Sequence, residues 1–169
     1  HLMRLWAGFH DGFPPPDGVN DLPFSIVIGS HVLPAVGIGM GMNYKENKNC
    51  VVVNYGDGAS SQGAVSEALN FAGVYNAPVV FVCENNGWAI STPTSQQSAN
   101  QILAAQGVAH GIPSIRVDGN DILAMMSATE EATNRARNGE GPTLIEAITF
   151  RMSLHTTADD PTVYRDENE

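Results

Sequence analysis

The sequence predicts an α/β fold built as a doubly wound, mostly parallel sheet. Three runs carry that expectation: "CVVVNY" (50–55), "APVVFVCEN" (77–85) and "TLIEAITF" (143–150). Each is continuously apolar and rich in β-branched residues, the pattern of a parallel strand covered on both faces. Helical stretches of ten to eighteen residues alternate with the strands, as βαβ units require. At 169 residues, 43% of them hydrophobic, the chain fits a single domain with a real core.

Residues 1–23 read as an N-terminal helix and loop, the loop being "DGFPPPDGVNDLP" (11–23). "FSIVIG" (24–29) reads as a brief strand, and 30–44 as a helix with Pro34 tolerated in its first turn. Ala35, Gly37, Gly39 and Gly41 are expected to give that helix a small packing face. After the first long strand, 60–75 is a helix with Val65, Ala68, Leu69 and Ala72 on one stripe. "GWAISTPTSQQS" reads as loop and 100–109 as a helix. "SIRV" (114–117) is a strand, and 121–138 is a helix capped by Asp121. From Arg151 onward the chain reads as loop.

The formal charge is −10, from 8 basic and 18 acidic residues, without a cluster of Lys and Arg. That argues against nucleic acid and anionic membranes as partners. No apolar run approaches the roughly 18 residues of a membrane helix. Cys50 and Cys83 lie in or beside apolar runs and read as small core residues, which fits a reducing, cytoplasmic compartment.

In an open parallel sheet, ligands bind beyond the carboxyl ends of the strands. Three segments fall there: "YGDGAS", "ENNGWAIS" and "FRMSLHTTADD". In the first, Gly56 and Gly58 permit a sharp turn and close backbone approach, and the helix that follows offers unpaired N–H groups to a phosphate. Asp57 would repel that phosphate unless a cation lay between them, so the set suits Mg²⁺ bridging a carboxylate and a diphosphate. Taken alone, "GDG" is equally a plain strand–helix turn with Asp57 as cap. In the second segment, Asn86 comes one helix and one strand later and could supply an amide oxygen, with the Trp88 carbonyl beside it.

"GDG" followed some thirty residues on by "NN" resembles the thiamin diphosphate binding motif. "GDGASSQGAVSEALNFAG", "APVVFVCENNGWAISTPTSQQ", "IRVDGND", "GPTLIEAITFR" and "HTTADDPTVYR" resemble the α subunit of 2-oxo acid dehydrogenase E1 components, almost continuously from Leu22 to Arg165. The second and third of these look closest to the branched-chain type; the pyruvate and acetoin types share most of the pattern. The resemblance implies a thiamin diphosphate-binding fold in which Asp57, Asn86 and the Trp88 carbonyl hold Mg²⁺. It places Gly56, Gly58 and Ala59 against the diphosphate, the Ile28 main chain on the aminopyrimidine, and Arg151 near the diphosphate. His155 would be catalytic, reaching cofactor and substrate, as a group able to donate or shuttle a proton near neutral pH. Thr156 falls where some relatives carry a regulatory phosphorylated serine.

The same resemblance implies partners. An E1 β subunit in an α₂β₂ assembly would supply the carboxylate that activates the cofactor, since Glu67 lies two turns down its helix. A lipoyl-bearing E2 would take the acyl group from the 2-oxo acid substrate. Family α subunits are much longer, so a truncated form or a fragment is expected, with a shortened C-terminus after the active-site loop at 151–169. His31 stands where relatives have Gln, while His10 and His110 read as surface residues. A dinucleotide-binding reading of "GIGMG" (37–41) fails because position 42 is Met and the glycines fall within a helix. A relative kept only for structure or assembly is the other alternative.

Overall fold

Every main strand points the same way, so the catalytic loops predicted above are gathered at one edge. The structure, a computed structural model, describes residues 2–9, 15, 17–22 and 25–166. Its helices and strands are, in chain order, α1 Leu2–Trp6, α2 Val32–Tyr44, β1 Val51–Gly56, α3 Asp57–Ser60, α4 Gly63–Val74 and β2 Val79–Asn85. There follow β3 Trp88–Ala89, β4 Thr92–Pro93, α5 Thr94–Gln97, α6 Ala105–Ala109, β5 Ser114–Asp118, α7 Ile122–Arg137 and β6 Thr143–Ile148. A 3-10 turn at Pro161–Val163 ends the described secondary structure. His10 and parts of the 11–24 stretch lie outside the described residues.

The sheet order is β1-β2-β6-β5, parallel throughout. Helices cover both faces, as expected for the doubly wound class. On one face α2 and α4 bury Val32, Val36, Val65, Ala68, Leu69 and Ala72 against Val53, Val79, Phe81 and Leu144. On the other, the alanine stripe of α7 (Ala128, Ala132, Ala136) lies on Val80, Val82, Ile145 and Ala147. Alanines let the α7 axis come close to the sheet, and i, i+4 spacing keeps them on one side. Asp121 caps α7 by accepting from the Leu123 and Ala124 N–H groups at 2.9 and 3.3 Å. Among the described residues no helix is long and apolar enough to cross a membrane.

Several expectations need correcting. "FSIVIG" is no strand over its described part: 27–30 is a turn, closed by the Ser30 N–H on the Val27 carbonyl, and Ile26, Val27 and Ile28 are exposed. β-branched composition favoured a strand, yet among the described residues β1 is the outermost strand of the sheet and nothing pairs beyond it. The small face of α2 is also different. Residues two apart point to opposite sides of a helix, so Val32, Ala35, Val36 and Gly39 form the packed face. Only Gly39 meets a close neighbour, Val79, while Gly37 and Gly41 face open space. The helix expected over 100–109 is confined to α6, and β6 ends at Ile148.

Candidate functional site

Asp57 is 2% exposed at the start of α3, directly beyond the carboxyl end of β1. Its Oδ2 accepts from Gln97 Nε2 at 3.1 Å and more weakly from the Thr94 hydroxyl at 3.4 Å. The Ser60 hydroxyl donates to the Asp57 carbonyl at 2.6 Å, tightening the turn. Among the described residues no cationic side chain pairs with Asp57; Arg116 pairs with Glu146 and Arg135 with Glu140. A buried carboxylate held by neutral donors on one oxygen is an electrostatic deficit, which a cation on the free oxygen would relieve.

Asn86 follows β2, and β1 and β2 are adjacent with Gly56 in register with Glu84. The two predicted metal-binding side chains therefore leave neighbouring strand ends. The turn between them and Trp88 is built from two Asx bonds: Asn85 Oδ1 accepts the Gly87 N–H at 3.0 Å, and Asn86 Oδ1 accepts the Trp88 N–H at 3.1 Å. Gly87 has φ of +83°, which glycine adopts without strain. An amide oxygen has two lone pairs, so Asn86 keeps acceptor capacity for a cation. Asp, Asn and a main-chain carbonyl are all oxygen donors, as Mg²⁺ prefers. Among the described residues there is no cluster of three His, Cys, Asp or Glu.

The stretch expected to be loop after Trp88 is more ordered than that. β3 and β4 form a small hairpin that pairs Trp88 with Pro93 and Ala89 with Thr92. It carries Thr94 and Gln97 over Asp57, and it presses Ala89 onto Gly58, where a side chain would have 2.7 Å to the Ala89 Cβ. Ala59 is buried beside them, and Gly56 is exposed, its side-chain position 4.0 Å from the Glu84 carbonyl oxygen, an ordinary van der Waals contact.

The third segment is pinned to the second. Arg151 Nη2 donates to the Ile90 carbonyl at 2.9 Å and lies 2.8 Å from the Tyr164 hydroxyl, whose ring sits 5.5 Å from that of Trp88. Among the described residues Nε and Nη1 of Arg151 are shielded from solvent and have no hydrogen-bond partner, which leaves three N–H donors of a guanidinium for an anion. Asp159 accepts from the Tyr164 hydroxyl at 2.8 Å and from the His155 N–H at 2.7 Å. The His155 N–H bond, aided by Tyr164 and Arg151, holds the Asp159 carboxyl below its ordinary range. His155 itself is exposed on this loop, and among the described residues no hydrogen bond joins it to Asp57 or Asn86. Ile28 is 61% exposed in its turn, yet the turn stands at the same edge: Gly29 lies against Gln62, and His31 Nε2 is 2.7 Å from the Asn54 carbonyl.

Residues 16–169 match the family described as "Dehydrogenase E1 component". The chain belongs to the dehydrogenase E1 component family. It is 49% identical over its full length to the pyruvate dehydrogenase E1 component subunit alpha of Acholeplasma laidlawii, covering 49% of that protein. It is 51% identical, again over its full length, to the 3-methyl-2-oxobutanoate dehydrogenase subunit alpha of Mycobacterium tuberculosis, covering 46% of it. The E1 chain thus spans about half the length of the curated relatives it matches. A solved structure from Mycobacterium smegmatis, assigned as a thiamin diphosphate-dependent enzyme, superposes with a TM-score of 0.56 at 26% identity, over 74% of this chain and 22% of that one. The fold is the α/β thiamin diphosphate-binding fold that the motif implied.

Four residues of this candidate site escaped the sequence reading. Thr94 and Gln97 lie in a polar tract that reads as solvated loop, and Asp159 and Tyr164 meet only once the C-terminal loop folds back. Glu146 carried a signal that could have been used: a lone acid within the apolar run "TLIEAI". Cys83, in register with Glu146, is confirmed as a core residue; burial, aided by the Glu146 carboxylate, pushes its thiol well above the usual range. Cys50 is half-buried.

Proposed function

We propose that this chain is the Mg²⁺–thiamin diphosphate-binding part of a 2-oxo acid dehydrogenase E1 α subunit. The observation that carries the reading is the buried Asp57 carboxylate, without a cationic partner among the described residues, one strand away from the Asn86 turn. Family membership and a thiamin diphosphate-dependent structural relative support the cofactor.

In this reading Asp57, Asn86 and the Trp88 carbonyl hold Mg²⁺. The main chain at Gly56, Gly58 and Ala59 lies along the diphosphate, and the free donors of Arg151 neutralise it. The Ile28 turn supports the aminopyrimidine end of the cofactor. When bound, thiamin diphosphate supplies a carbon nucleophile and an electron sink for decarboxylation of a 2-oxo acid. His155 holds or moves the proton at its imidazole, on a loop that Asp159 and Tyr164 keep close to the Trp88 hairpin. The activating carboxylate comes from an E1 β subunit in an α₂β₂ assembly, and a lipoyl-bearing E2 accepts the acyl group, so the chain acts only in that complex, in the cytoplasm.

Relatives of the pyruvate and the branched-chain type are equally similar, at 49 and 51% identity. Our preference for a branched-chain 2-oxo acid rests on "NNGWAISTPTSQQ" and "IRVDGND". Reconstitution with an E1 β subunit tests both parts. Decarboxylation of 3-methyl-2-oxobutanoate in preference to pyruvate supports the branched-chain assignment, and the reverse preference replaces it with the pyruvate type. A complex that binds the cofactor and decarboxylates neither acid overturns the catalytic reading in favour of a structural relative.

A further inference from the structure

Glu146 is 0% exposed in the middle of β6, and both of its carboxylate oxygens accept hydrogen bonds. Its Oε1 accepts from Asn85 Nδ2 at 2.8 Å and lies 3.6 Å from Arg116 Nε; its Oε2 accepts the Ala104 N–H at 2.9 Å. Asn85 is itself buried, and its Oδ1 is the acceptor that fixes the Gly87 N–H. Its main-chain carbonyl also receives the Thr149 N–H at 2.9 Å, at the start of the segment that leads to Arg151. The amide of Asn85 thus has one orientation in which both ends are satisfied. Nδ2 faces the carboxylate of Glu146 and Oδ1 faces the turn that carries Asn86 and Trp88.

We propose that Glu146 is a positioning residue for the Asn86–Trp88 turn, acting through the Asn85 amide; this rests on the Mg²⁺ reading of that turn. A carboxylate is needed because it accepts on both oxygens. Turning the Asn85 amide over would set two donors against each other at Gly87 and two acceptors against each other at Glu146. The buried charge therefore selects one amide orientation, and that orientation holds the turn before any metal arrives. Arg116 offsets the charge from the exposed end of the sheet.

Glu146→Gln tests this, because it keeps the volume and loses one acceptor. Gln cannot accept from both Asn85 Nδ2 and the Ala104 N–H, so the relay loses its fixed direction. Amide hydrogen exchange at Gly87 and Trp88 in the metal-free chain is expected to quicken roughly tenfold or more, and Mg²⁺ affinity with thiamin diphosphate present to fall by a similar factor. The double variant Asn85→Asp with Glu146→Gln swaps donor and acceptor: Gln Nε2 donates to one Asp oxygen, and the other still accepts from Gly87. It is expected to restore the Gly87 protection, and to fold even where the single variant does not.

A folded Glu146→Gln chain with wild-type exchange at Gly87 and Trp88 overturns the proposal. So does a double variant that fails to fold or stays as unprotected as the single one. An E1 β complex of the wild type that takes up no Mg²⁺ with thiamin diphosphate, while the exchange pattern holds, overturns the cofactor reading and leaves the relay standing.

Discussion

Gly58 lies directly beneath Ala89: a β-carbon built on Gly58 would sit 2.7 Å from the Ala89 Cβ. This contact seats the β3–β4 hairpin on the turn after β1, and through it Gln97 reaches Asp57. Gly58→Ala must push the hairpin away, because Ala89 has no flexible side chain to yield. Overpacking of this kind costs about 1–3 kcal/mol. A lowered Tm, with weaker Mg²⁺-dependent cofactor binding, is the expected outcome of thermal melts and titrations.

The loop that carries His155 should be sensitive to acid. Asp159 titrates below its ordinary value of 3.8 because the folded loop stabilises its charged form. A depressed folded pKa contributes order above the ordinary value and loses it as pH falls through the folded one. Proteolytic nicking between Arg151 and Tyr164 should therefore be slow at neutral pH and rise in the acid range below 3.8. Asp159→Asn should be nicked faster than wild type at neutral pH, with little further change on acidification.

Asp121 gives a prediction independent of the site. It satisfies two N–H groups at the start of α7, and Asp121→Ala leaves both without a protein acceptor. The expected cost is about 1 kcal/mol of unfolding free energy in a urea titration, with cofactor binding unchanged.

The parts of the fold that were legible in the sequence are those where local pattern and burial agree. β2 and β6 are apolar runs because both faces are covered, and Val65, Ala68, Leu69 and Ala72 recur at helical spacing because one side of α4 lies on the sheet. The Ile26–Ile28 stretch misled because β-branching speaks for a strand only where a neighbouring strand exists. Asp57 and Asn86 could be placed just beyond neighbouring strand ends from glycine and amide turn chemistry and from their spacing. Thr94 and Gln97 could not, since a polar tract gives no sign that a two-residue hairpin will fold it over a buried acid. Glu146 was hidden by its context, being read as one residue of a strand.

The central claim is that Asp57 is kept buried, with no counter-charge among the described residues, in order to bind a metal diphosphate. Asp57→Asn removes the charge and keeps an oxygen for Thr94 and Gln97, so stability should hold or rise while binding is lost. The most direct measurement is calorimetric titration of thiamin diphosphate into an E1 β complex of wild type and Asp57→Asn, with and without Mg²⁺. The account predicts binding by the wild type only when Mg²⁺ is present, and affinity weaker by about 100-fold or more in the variant at an undiminished Tm. Equal binding without Mg²⁺, or wild-type affinity in Asp57→Asn, would contradict it.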